Sequence, residues 1–140
     1  MIIKYNRAPI IRNDLNKLIK SEGLIDLTIN DLGVSGQIPF NKRKGGSQLI
    51  ELVKEGKVVK VIFEDIKECG GKNIKSLINT LEFFEKNKVL VRFDSIGVES
   101  QTKQGLENPN WALIISTLKS VHQMQRERIP QITEVTRKQQ

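Results

Sequence analysis

The residues of this chain that could handle a phosphate sit near the ends of its apolar runs. Ile2 and Ile3 lead through Tyr5 to Arg7, and Ala8 and Pro9 follow. A guanidinium just past a strand end suits holding an anionic oxygen. Alanine and proline beside it offer no hydroxyl, thiol or proton carrier, so no nucleophile accompanies that arginine. Further on, "VSG" carries Ser35, and the basic stretch "NKRKGG" puts Arg43 in the approach to a helix. Asp31 and Asp65 each stand just past a later apolar run. His122 and Cys69 are the sole residues of their kinds. Neither has the companions that a metal site requires, and no metal is expected. "CGGK" lacks the spacing of a phosphate-binding loop, and no G-x-G-x-x-G follows the first run, so no nucleotide cofactor is expected either.

The elements that must position these residues alternate. Residues 2–8 read as a short buried strand. "NDLNKLIKSEG" reads as a helix capped by Asn13, with Leu15, Leu18 and Ile19 on one face and Gly23 at its end. "LIDLTI" (24–29) is a second strand, followed by a long loop. Long loops in compact domains are usually functional or mobile. A helix from Ser47 to Gly56 then leads into "KVVKVIF" (57–63), whose valines and isoleucines favour a strand. A glycine-bearing loop precedes the amphipathic helix "NIKSLINTLEFFEKN", the strand "KVLVRF" (88–93) and a polar loop over 94–107. A long last helix begins near Pro109. Strands alternating with helices predict an α/β fold with a central, mostly parallel sheet of four or five strands between helical layers. In such sheets ligands bind beyond the carboxyl ends of the strands, where Arg7, Asp31 and Asp65 lie. The expected organisation is an α/β unit over 1–108, a helix of the same domain over 109–137 and a frayed tail over 138–140.

The last helix has its own pattern. Trp111, Ile114, Leu118 and Val121 recur at alternating three- and four-residue steps, a seam that wants a partner. The same register then meets Gln125 and Arg128 before returning to Ile132 and Val135. Two readings are open: the helix packs on its own sheet, or it buries the seam against another subunit. Pro130 is expected to bend or break it.

Composition narrows the partners. The chain has 140 residues, 38% hydrophobic and 28% charged, with a formal net charge of +7. That size supports one core without staples, and the excess of positive charge favours an anionic partner such as nucleic acid. No apolar run approaches the ~20 residues of a membrane span. The start lacks the apolar stretch of a signal peptide, and one cysteine fits a reducing compartment, so a cytoplasmic location is expected.

In order and spacing, five segments together resemble the catalytic domain of the resolvase/invertase family of serine recombinases. They are "YNR", "VSG" with the following "RKGG", "LIELVKEGKVVKVIFED", "KVLVRF" and "HQMQRERI". The resemblance implies site-specific DNA recombination, in which a serine attacks a phosphodiester and arginines neutralise the charge that develops. It also implies a long last helix that pairs subunits. Residue by residue, Arg7 matches the first-strand arginine, while Pro9 occupies the nucleophile's position. Arg43 matches the arginine before the second helix. Asp65 matches the aspartate of a D-R-x-x-R element whose first arginine is Ile66 here, with Lys72 as a stand-in for the second. Arg126 keeps the last-helix arginine, and Gln125 replaces the glutamate before it.

The resemblance therefore implies a degenerate recombinase domain, a pseudoenzyme with no catalytic residue expected and Ser35 as a weak substitute nucleophile. Arg7, Arg43, Lys72, Arg126 and Arg128 are the implied phosphate ligands, with DNA of low sequence specificity as partner. No helix-turn-helix reader is expected in the 140 residues. Self-association, or docking on an active recombinase subunit, would run through Trp111, Ile114, Leu118 and Val121. The alternatives are an active strand-exchange enzyme with an atypical site and a pure protein-interaction scaffold.

Overall fold

The computed structural model describes residues 1–8, 24–71 and 73–139, with side chains to Arg126. The helix expected between Asn13 and Gly23, together with Pro9 and Lys72, lies outside the described residues. Strands β1 (Ile2–Ala8), β2 (Leu27–Leu32), β3 (Lys60–Phe63), β4 (Leu90–Phe93) and β5 (Val98–Glu99) form a sheet in the order β2-β1-β3-β4-β5. The first four are parallel, and β5 closes the edge antiparallel to β4. Helices α1 (Lys44–Lys54), α2 (Ile74–Lys86) and α3 (Pro109–Gln139) complete the described elements, with 3₁₀ turns at Phe40–Lys42 and Ile66–Cys69. This is the mostly parallel α/β fold expected of the alternation, with β5 an element that the polar 94–107 loop conceals.

Several boundaries differ from expectation for physical reasons. β2 lies three residues later than 24–29, because Asn30 and Asp31 hold partners inside the sheet instead of turning away from it. β3 and β4 begin at Lys60 and Leu90, where pairing with β1 and with each other starts. α1 begins at Lys44, ahead of Ser47, and takes Gly45 and Gly46 into its first turn. α3 runs through Pro130 to Gln139, past the expected end at 137. A proline removes one N–H from a helix and strains the preceding turn, a local cost of about 3 kcal/mol that does not end this one.

One face of the sheet carries the aromatic core. Tyr5, Phe63 and Phe93 of adjacent strands are fully buried, as are Phe40 and Phe84 above them. Their rings meet edge-on, Phe40 lying 4.9 Å from Tyr5 and 6.2 Å from Phe84. Such pairs add to the area they bury. Trp111 of α3 stacks on Phe93 at 5.2 Å, which pins the start of the last helix to β4.

The opposite face carries a network of paired charges beside the buried Ile62. Lys4, 2% exposed, reaches Asp94 at 3.0 Å and Glu64 at 3.5 Å. Arg92 joins Asp94 and Glu99, and Lys60 joins Glu99 at 2.7 Å. Burial pushes the Asp94 carboxyl up, but hydrogen bonds from Lys4 and Arg92 outweigh it and hold the group below its ordinary range. The hydrogen bond from Lys60 does the same for Glu99.

Gly46 is the tightest point of the helix-to-loop junction, since a Cβ there would collide with the Phe40 carbonyl. A backbone atom gives way poorly. Gly46→Ala should therefore lower the unfolding free energy by about 2–3 kcal/mol in urea titrations, against a change within about 0.5 kcal/mol for Gln48→Ala on the exposed side of the same helix.

Candidate functional site

The carboxyl ends of β1 and β2 meet a buried polar cluster that the sequence assembles from three distant places. The register sets Tyr5 beside Ile29 and Arg7 beside Asp31. Tyr5 donates its phenolic hydrogen to Asp31 Oδ2 at 2.6 Å. The same carboxylate accepts from the backbone N–H groups of Gly45 at 2.7 Å and Gly46 at 3.1 Å. The N-terminus of α1, whose free N–H groups and dipole attract an anion, is thus already occupied by Asp31. Gly45 leaves the room for this, because a Cβ there would meet the Asp31 carboxylate and Ile29. Burial, then the bond to Asp31, pushes the Tyr5 phenol well above its usual range, so it remains a donor.

Arg43 lies under this cluster and is 1% exposed. Its Nε donates to Ile38 O at 3.0 Å, and its Nη1 to Tyr5 Oη at 3.2 Å and Glu68 O at 2.6 Å. Its Nη2 donates to Gly70 O at 2.6 Å and Gly36 O at 3.4 Å. A guanidinium has five N–H donors, and all are engaged within the chain. The expectation that Arg43 faces a phosphate is corrected here: in this structure it is a clamp that gathers the 36–38 loop, β1 and the 68–70 turn.

Arg7 is differently placed. It is 15% exposed and donates through Nη1 to Val34 O at 3.0 Å. Its Nε lies 3.3 Å from Glu68 Oε2, a charge pair without aligned hydrogen-bond geometry, so neither atom has a hydrogen-bond partner among the described residues. No described hydrogen bond uses its Nη2. Arg7 lines a cavity of about 500 Å³ with Gly36, Lys67, Gly70, Asn73 and Gln125. Burial pushes the Glu68 carboxyl above its ordinary range, and Arg7 and Arg43 only partly draw it back. Glu68 escaped the sequence reading. The signal available was an acid within three residues of Asp65, in the segment where the family resemblance implies cations.

The remaining candidates divide. Ser35 is exposed, and its Oγ accepts from the Gln37 N–H at 3.2 Å, in the loop whose Val34 carbonyl holds Arg7. Asp65 caps the following 3₁₀ turn by accepting from the Lys67 N–H at 3.3 Å. Gln125 reaches the Arg7 cavity from α3, whereas Arg126 is exposed and does not line it. The Arg128 side chain is outside the described set, as is Lys72. Cys69 is buried, which raises its thiol well out of the reactive range. Of the expected seam, Trp111 is 5% exposed and belongs to the domain's own core, with Leu118 packed against it. Ile114 is half-buried and Val121 is 37% exposed. Among the described residues no cluster of His, Cys, Asp or Glu could hold a metal, and no helix is long and apolar enough to cross a membrane.

The family model for the resolvase N-terminal domain matches residues 9–140. This chain belongs to that family. The match begins at Pro9, so β1 and Arg7 stand ahead of it. The catalytic domain of TP901-1 integrase superposes with a TM-score of 0.67 at 16% identity, covering 90% of this chain and 96% of that one. A resolvase-family site-specific recombinase from Streptococcus pneumoniae gives a TM-score of 0.67 at 22% identity over 99% and 95% of the two chains. The first open reading frame of transposon ISC1904 from Sulfolobus solfataricus gives 0.53 at 18%, covering 98% and 96%. At these identities the likeness concerns the fold. No curated protein matches the chain.

The Tyr5 hydroxyl bridges Asp31 and Arg43, so deleting it leaves one donor and one acceptor short of a partner in a buried site. Tyr5→Phe should cost about 2–3 kcal/mol in urea unfolding, several times the ordinary effect of removing one exposed hydrogen bond.

Proposed function

We propose that this resolvase-family domain binds DNA phosphates without cutting the strand, and associates with itself or with an active recombinase subunit. The supporting observation is the Arg7 cavity. A partly exposed guanidinium, whose Nη2 has no hydrogen bond among the described residues, opens beside Lys67 and Gln125 at the carboxyl edge of β1, on a chain of net charge +7. Pro9, two residues on, brings no attacking oxygen. Arg43, bound up inside the protein, leaves Arg7 as the principal cation of the site among the described residues, which suits weak and poorly specific binding.

Duplex affinity should fall with salt, and Arg7→Ala should lower the slope of log affinity against log salt by about 0.9, the share of one phosphate. An unchanged slope would remove Arg7 from the interface. A nicked substrate that traps covalent intermediates should yield no protein–DNA adduct, and an adduct abolished by Ser35→Ala would overturn the non-cutting reading.

A second reading, a protein-docking scaffold without DNA affinity, draws on α3. Leu113 is 65% exposed, Met124 66% and Val121 37%, and they recur on one side of the helix beyond the part that Trp111 anchors. In both readings self-association runs through these residues in preference to Trp111. Val121→Lys should shift a dimer to monomer in size-exclusion with light scattering, because a buried ammonium has no partner there. The two readings part on the salt series, to which the scaffold is indifferent.

A further inference from the structure

Glu68 is a carboxylate that packing alone does not explain. It stands on the 3₁₀ turn after β3 with its side chain 14% exposed, and its Oε2 has no aligned hydrogen bond among the described residues. The groups facing it are Arg7 from β1, Arg43 from the loop before α1, and Asp65 and Cys69 from its own turn. Arg43 binds the Glu68 backbone carbonyl, so the turn is fixed while the carboxylate points along Arg7. Glu68 Oε2 and the Arg7 Nε that it faces at 3.3 Å are both closed to solvent, and Arg7 lines the cavity where Glu68 does not, so the carboxylate offsets the guanidinium from behind its open side.

We propose that Glu68 is the buried counter-charge of the Arg7 anion site, and that a phosphate group gains the full charge of Arg7 only when Glu68 is neutralised. This rests on the reading of the Arg7 cavity as an anion site and adds its control. In the resting protein the two charges cancel, and a phosphodiester entering the cavity meets like charge from Glu68. Proton uptake by Glu68 removes that repulsion and frees the arginine. Burial already disfavours the ionised form, so the proton is taken up at a higher pH than by an ordinary glutamate. Acidification should therefore strengthen binding through Arg7. The DNA phosphates stay ionised throughout.

The experiment is fluorescence-anisotropy titration of a labelled DNA duplex at fixed salt, from about pH 7.5 to about pH 5. The proteins are wild type, Glu68→Gln, Arg7→Ala and the double variant. Glu68→Gln should bind about tenfold tighter than wild type at the upper pH and show little further gain on acidification. Wild type should approach it as pH falls, and Arg7→Ala should abolish the gain in the double variant. Arg7-dependent binding that Glu68→Gln leaves unchanged would overturn the counter-charge proposal and leave the anion site standing. Binding indifferent to Arg7→Ala would overturn the site itself. If Glu68→Gln fails to fold, wild type against Arg7→Ala decides: a pH-dependent gain confined to wild type upholds the proposal, and equal gains overturn it.

Discussion

The Asp31 carboxylate, shared among Tyr5 and the first N–H groups of α1, is the constraint on which the carboxyl edge of the sheet depends. It ties β2 to β1 through a side chain as well as through the ladder, and it supplies the anion that the α1 N-terminus would otherwise seek from solvent. Arg43 hangs on the same phenol and draws in the 36–38 loop and the 68–70 turn. Taking one member away leaves the others buried and short of partners, which is why such networks act as units. Arg7 stands outside this network, partly exposed at the rim.

That arrangement gives the two arginines different work despite their common neighbour. Both touch the 34–36 loop and both lie in the field of Glu68. Arg43 is saturated by carbonyls and a hydroxyl, neutral acceptors that hold geometry without cancelling charge. Arg7 has one carbonyl and one carboxylate, and the carboxylate does cancel charge. Arg43 shares the Tyr5 hydroxyl with the Asp31 carboxylate, while the Arg7 guanidinium faces Glu68 directly at 3.3 Å.

Much of the architecture was legible in the sequence, because valine, isoleucine and phenylalanine cluster where strands are buried and Gly56 closes α1. The misplacement of β2 came from treating Asn30 and Asp31 as turn formers, when each has a partner across the sheet in Asn6 and Tyr5. Arg43 was matched through the family resemblance to a phosphate-facing arginine, and only tertiary contacts reveal five acceptors around its guanidinium. The glycine pair behind it was the available clue, since Gly45 and Gly46 mark a backbone packed too closely for side chains. β5 was hidden because two residues carry no periodicity. At Trp111 the last helix follows the first of its two readings, packing on its own domain. That residue's place in a heptad-like row suggested a subunit seam, yet the first turns of α3 must also close the domain's own core over Phe93.

Glu68 bears on how a recombinase-type site differs from a binding site built on the same fold. A catalytic phosphoryl site gains from every cation aimed at the developing charge, and an acid in its midst would oppose the transition state. A site that only holds and releases DNA has no such requirement, and a competing carboxylate sets the strength of the hold. Linkage makes the cost explicit. The folded-state pKa of Glu68 lies above its unfolded value, so the native state binds the proton more tightly, and the residue works against folding as pH rises past that pKa. A glutamine would fill the space without that penalty. The ionisable group at this position lies 3.3 Å from Arg7, whose charge it offsets.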